Sequence, residues 1–568
     1  MDDEHDQTLQ GETLKVWLTS TEGGPAAAAP SGQRDARRPS HVEATGNVSA
    51  KSKEMTIPHA GQLVVWFRDA PAGAMPPASP AAPAQANAVP AKNAAPAVSA
   101  GPAPQPAGTN IAGAAPIKAD PEPVRPIDLT ARSVYVWMVR GEEKNTLEKL
   151  DAEGDVVVRQ DPAKPGEKPL DVNGASLELT YHPEGDFLVV RGDLAQIQME
   201  TIYILGPEVT IDQASNKAWV VGAGAMQMES ATNFQGEKLT KAVPMIVHWN
   251  DNMFFNGRYA EFSKGVQAEQ DNAHLFCQSL QVSFDHPISL KEGNHGGPPP
   301  RVKDLVCYKD VRVDDRTLEG DRVVSSKRLT GPSLSMNALE PEDANGKEEA
   351  GSTGNEIRMP GPGDVRLFQI GGADPLAAPP EPGAKVIAAK PALAAKPGAA
   401  KKPDEQMKLT YISYGSIGAH GSMYANSKTN TARFLQNVRV LNMPCDNPNI
   451  EIDLDDILEH LPEGALYLKG DRVDVYNRGD KKKSQQEMTA KGHVFVQAKE
   501  FDARSDVMRY SEAKDQIIFE GGDGGNATLY KIKQRGGPSQ KIEGKKITYI
   551  RSTGRFQIDG GDWISGGD

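Results

Sequence analysis

Aromatic residues make up only 6% of this chain and apolar residues 38%, against 55 glycines and 43 prolines in 568 residues. A good part of the length therefore cannot be committed to a core. Single cores stop growing near ~250–300 residues, so two or three folded units with linkers between them are expected. Cysteine is scarce: Cys277, Cys307 and Cys445 cannot all pair within one chain, and none lies in a CxxC motif. No run of about 18 apolar residues occurs, so no segment can cross a membrane as a helix. Met1 is followed by Asp-Asp-Glu-His-Asp, the reverse of a basic stretch leading into an apolar one, so no secretory signal is visible. Thr8 to Leu18 reads as the middle of a repeat without its partner strand, and the true start is expected upstream. The net charge of -13 opposes nucleic acid as a partner, because phosphate binding needs a basic face. The clusters Lys481 to Lys483 and Lys401-Lys402 sit in a turn and a linker, where lysines keep the chain solvated.

Catalytic constellations are missing too. No GxSxG elbow exists, and Gly415-Ser-Ile-Gly418 is too short for one. His274, Cys277, His286 and Cys307 could supply a zinc set, but Leu275 to Phe284 alternates like a strand and more often buries Cys277 as a small hydrophobe. Gly521 to Asn526 resembles a phosphate loop but leads into strand-like Ala527 to Ile532, so it reads as a hairpin turn. Asp453, Asp455, Asp456 and Glu459 lack the turn glycine of a calcium loop and read as a solvated helix face. No enzyme, metal site or cofactor is expected.

What the sequence does contain is strand upon strand: short alternating runs rich in Val, Ile, Tyr and Phe, bounded by Gly, Asn or Asp. Helical periodicity is confined to Asp453 to Leu461, stopped by Pro462 and Gly464. Without helices between the strands, crossover-connected parallel sheets are excluded. Two Ala/Pro-rich stretches, near Ala70 to Arg125 and Asp374 to Pro403, read as linkers, and the acidic Pro341 to Gly354 as a loop. The expected division is a partial β-repeat unit at 1–69, a disordered linker at 70–125, a β-module at 126–338, a second linker at 339–406, and a β-module at 407–568.

One unit recurs, Gly-x-Val followed by a strand, a turn, and a second strand ending in an aromatic. Copies are Thr45 to Ala50 with Gly61 to Phe67, Glu153 to Arg159 with Asn173 to Tyr181, Lys309 to Val313 with Leu318 to Val323, and Asn437 to Leu441 with Leu468 to Tyr476. A further copy runs from Lys491 to Gln497 through Tyr510 to Gly522, and a hairpin from Ile542 to Gly560 closes the series. These residues resemble the OstA-like domain of the bacterial lipopolysaccharide-transport family of LptA type, most closely over Gly470 to Gly560. The resemblance implies tandem antiparallel β-jelly-roll modules, or "β-taco" folds, apolar inside and polar outside. It also implies a non-enzymatic lipid-binding or bridge protein of the periplasm or cell envelope. Its partners would be a lipopolysaccharide-like acyl-chain lipid and other OstA-like proteins joined by edge-strand pairing. Candidates for lining the lipid trough are Val494, Val496, Met508, Tyr510, Ile518, Ile547, Tyr549, Phe556 and Ile558. A structural envelope scaffold with a fully packed interior is the alternative, and the state of the interior separates the two.

Overall fold

The computed structural model describes residues 8–19, 38–52, 55–69, 126–141, 145–162, 169–199, 202–232, 238–290, 300–320, 322–339, 354–370, 407–416, 421–478, 486–511, 513–532, 539–550 and 555–560. Among these residues the protein is all-β but for one short helix, and its thirty strands form a single hydrogen-bonded sheet. Neighbouring strands pair antiparallel with one exception, the parallel pair Met55–Asp69 and Ile127–Arg140. A parallel pair needs a long connection, and the Ala/Pro stretch of 70–125, which lies outside the described residues, separates these two strands in sequence.

The Gly-x-Val repeat has a physical meaning. Gly46-Asn47, Gly154-Asp155, Lys264-Gly265, Lys309-Asp310, Gln436-Asn437 and Gly492-His493 are consecutive residues with positive φ, between 45° and 79°. Each pair falls where strand pairing skips a step, as between Thr45 and Val48, Glu153 and Val156, or Lys491 and Val494. Two left-handed residues in succession make a bulge that bends the strand sharply, and Gly, Asn and Asp tolerate that backbone best. The valine that follows points inward every time: Val48, Val156, Val266, Val311, Val438 and Val494 are all at most 2% exposed.

These bulges line up as a crease, and each long strand serves two leaves. Strand Phe501–Ser511 pairs with Gln516–Glu520 through residues 507–511 and with Ala527–Ile532 through residues 501–504. Strand Arg322–Ala338 likewise pairs with Gly363–Ile370 on one side of Gly331 and with Asn355–Pro360 on the other. Folded along the crease, the leaves face each other, and Phe501 of one leaf meets Phe519 of the other at 5.9 Å between ring centroids. The result is a roll, apolar within, as period-two alternation demands.

Two expectations need correction. Residues 339–406 are not linker throughout, since Asn355–Pro360 and Gly363–Ile370 are strands that pair with Ser422–Asn426 and Met407–Tyr414. They alternate too briefly to stand out beside their Pro/Gly-rich flanks. Most of the buried side chains also form one continuous cluster, from Ala44 to Tyr549, that runs through both expected modules. The size limit on a core applies to a globule; a roll grows along its axis, each strand touching only its neighbours, so its core lengthens without thickening.

The outer face is polar, with two features. Asp314, 3% exposed, lies between Arg312 and Arg328, and Asp474, also 3% exposed, between Arg433 and Arg472. Both are Arg-Val-Asp steps completed by an arginine from the adjacent strand, so the repeat extends to its surface clamps. The insertion Pro444 to Gly464 carries the helix Leu454–Glu459, capped by Asp453, whose carboxylate accepts from the backbone N–H of Asp455 at 3.0 Å and of Asp456 at 3.4 Å. Leu454 packs with Leu441, Met443 and Tyr467 in a second small cluster that covers the outer face locally.

Candidate functional site

The interior of the roll is an extended apolar surface, and its character changes along the axis. In the C-terminal part Val494, Val496, Met508, Tyr510, Ile547 and Tyr549 are buried, while Phe556 and Ile558 are half-buried against them. Ile518 is the exception among the candidates. It lies between Ile517 and Phe519, which are 3% and 0% exposed, so strand alternation sends it to the outer face opposite Thr548. The alternation in Gln516–Glu520 was legible, but two adjacent isoleucines left its phase ambiguous. Sequence reasoning missed Phe501, which lies within 4.9–6.1 Å of the rings of Tyr549, Phe519 and Phe556. Tyr549 and Phe556 stack at 4.7 Å, and the Tyr549 hydroxyl donates to Glu500 at 2.8 Å. This end is filled by its own side chains.

Nearer the middle the packing loosens. A cavity of ≈ 30 Å³ lies between the leaves, lined by Met226, Met228, Met245, Phe262, Leu280 and Met336 among others. The volume is that of about one water, yet almost every wall atom is apolar, and such cavities stay dry. Methionine side chains are unbranched and reshape readily around a ligand. The signal in the sequence was Met226-Gln-Met228 on an alternating strand, with Met245 opposite Met228.

Opposite the crease, the free margins of both leaves carry inward-facing apolar side chains that are only half-buried. Met138 opposite Leu147 and Leu179 opposite Leu188 edge one leaf; Met199 opposite Ile202, with Leu170, edges the other. Strand ends normally turn polar as they reach solvent, so a mouth edged with Met, Leu and Ile is a concentration of apolar surface where it costs solvation.

Among the described residues no group of three His, Cys, Asp or Glu could hold a metal ion. His274 lies by Glu269 and His286 by Asp285, whereas Cys277 and Cys307 face inward, 4% and 0% exposed. Asp453 serves as helix cap, and Asp455 pairs with Arg439 at 3.4 Å. No described helix is long and apolar enough to cross a membrane.

No curated protein matches this chain. Residues 460–555 match the family described as LptA/(LptD N-terminal domain) LPS transport protein. The match covers the crease at Gly492-His493, the aromatic-filled end of the roll and the strand alternation that carried the resemblance. The chain therefore carries, at residues 460–555, an all-β OstA-like domain of the LptA/LptD N-terminal type, from the lipopolysaccharide-transport family.

Proposed function

We propose that this protein is a non-enzymatic carrier of the cell envelope that holds the acyl chains of a lipopolysaccharide-like lipid between the leaves of its roll and passes them along its axis. The observation that carries this reading is the row of half-buried apolar side chains at the strand margins, Met138, Leu179 and Leu188 on one leaf and Leu170, Met199 and Ile202 on the other, packed against the apolar interior. A carrier must admit flexible chains from the side while their polar headgroups stay in water. A packed scaffold has no use for apolar side chains at the margins of its strands. The terminal strands extend the reading. Among the described residues Thr13–Thr19 pairs on one side only, and its Leu14, Val16 and Leu18 are exposed there. An edge of this kind invites a further strand from an OstA-like partner.

A photo-crosslinking residue at 188 or 199 tests the reading in envelope extracts containing lipopolysaccharide. Acyl-chain adducts should form there and be absent at outward-facing 189 and 198. Native mass spectrometry of the purified chain should show bound lipid. A lipid-free mass and equal labelling of both faces would leave the scaffold reading, which the filled C-terminal interior favours.

A further inference from the structure

Two thiols meet inside the crease. Cys277 lies on strand Ala273–Phe284 and Cys307 on its neighbour Val302–Glu319. The two strands are in register at Phe276 with Arg312 and again at Ser279 with Tyr308, and lose register between, where Lys309 and Asp310 take positive φ. Cys277 lies within this break and Cys307 just beside it, opposite Leu280, and both are buried in step with Leu275 and Leu305. Their side chains are close enough to hydrogen-bond to each other. Cys445 is elsewhere, its thiol directed at the backbone oxygen of Asn447 at 3.1 Å. Buried cysteines usually act as small hydrophobes, but two neighbouring ones on adjacent strands at the crease have a second possibility that a lone one lacks.

We propose that Cys277 and Cys307 form a cross-strand disulfide that staples the crease when the chain folds in an oxidising compartment. The inference stands apart from the lipid reading and needs only a disulfide donor, such as glutathione disulfide or a thiol–disulfide oxidoreductase. One thiolate attacks a donor sulfur and releases half of the donor as a thiol. The other cysteine's thiolate then displaces the second half, so two S–H bonds are replaced by one S–S bond. Two electrons reduce the donor to two thiols, which take up the two protons. The hydrogen bond with Cys277, and then burial, push the Cys307 pKa well above its ordinary value, so the closed roll holds thiols rather than reactive thiolates. Oxidation accordingly belongs to folding, before the leaves close, and it would tie off a loop of about 30 residues.

The test is a count of thiols on the full chain. The reduced, denatured protein is refolded in glutathione disulfide with glutathione, quenched in acid, denatured, and labelled with a maleimide. One label is expected, on Cys445, rising threefold to three labels after reduction, with a single linked peptide pair joining Cys277 to Cys307. The C445A variant should give no label before reduction and two after, and C277A should give two labels before reduction. Protein that folds yet takes three labels, carries glutathione on Cys277 or Cys307 in place of the link, or joins either of them to Cys445, overturns the proposal. Adding the same buffer to protein already folded in the reduced state should leave three labels. Rapid linking there would overturn the assignment of the reaction to folding.

Discussion

The two stretches of the roll share one frame and differ in what fills it. At the C-terminal end Phe501, Phe519, Tyr549 and Phe556 pack ring against ring. In the middle, methionines, together with Phe262, Leu280 and the small Ala260 and Ala268, line a cavity, and the margins stay apolar. The matched residues 460–555 take in Phe501, Phe519 and Tyr549 of this end, and what they share with the rest of the roll is its frame of crease, alternation and turn. Capacity for a guest depends on side-chain bulk at inward positions, which such a pattern does not specify. Whether a stretch of roll can open is therefore read from its packing and not from its repeat.

The sharpest way to break the comparison is to remove the filling. Phe501→Ala should cost about 3–5 kcal/mol, because the aromatic rings around it cannot collapse into the space. Urea denaturation of the full chain should show the loss as a lowered midpoint for the C-terminal part. A cost below ~1 kcal/mol would mean that this end is as loose as the middle, and the contrast would fall. Adding bulk asks the converse question. Ala503→Val, at a fully buried site away from the cavity, should cost ~1–3 kcal/mol through overpacking. The same change at Ala260, which lines the cavity, should cost less than half as much. Equal costs would show that the cavity offers no slack.

A third pair of substitutions tests the shared frame. Gly154 and Gly492 have φ of 79° and 75°, and an added Cβ would lie 2.7 Å from Arg132 Cβ in the first case and 2.3 Å from Asp471 Oδ2 in the second. Gly→Ala at either should cost roughly 1–2 kcal/mol from the left-handed backbone alone. Lys264→Gly, where φ is 60°, should gain up to ~1 kcal/mol. Thermal melts of the three variants should shift in these directions whatever fills the roll nearby. A cost confined to one glycine would mean that the two creases are not the same device.

Much of this frame was legible in the sequence. Gly-x-Val announced the crease at Val48, Val156 and Val494, because glycine at positive φ and a buried β-branched residue are both strong local signals. Lys264-Gly265-Val266 passed unnoticed since its glycine is displaced by one position. The strands at 355–370 hid between proline-rich flanks, and their partners lie at 322–338 and 407–426. The candidate site residues lie inside the roll except Ile518, which alternation places outside because Ile517 and Phe519 take the inward positions. What alternation could not convey is whether inward residues meet across the leaves. Phe501 and Tyr549 are far apart in sequence, and the mouth at 138–202 emerges only when strand ends are brought to one margin.

The smallest expected effect lies on the crease itself. His493 is one of the left-handed residues, and its ring Nδ1 is 2.7 Å from Asp471 Oδ2. The hydrogen bond and the charge of Asp471 raise the His493 pKa above its ordinary value, with Asp506 adding to the effect. A group whose pKa is higher in the folded state stabilises that state while it is protonated. The contribution is thus fully present below the ordinary histidine value and is lost as pH rises through the raised one. Because the imidazole is fully exposed, solvent and salt screen the pair, and the stability change should be near the limit of detection. The titration itself should be plain: ring proton shifts of His493 should give a pKa above that of an exposed model histidine, and Asp471→Asn should bring it down. The middle creases place Asp155 and Asp310 where this one has His493, so they lack such a group, and stability measured between pH 6 and 8 should respond at the C-terminal crease and not at those. A His493 pKa unmoved by Asp471→Asn would show that the crease is held by backbone geometry alone.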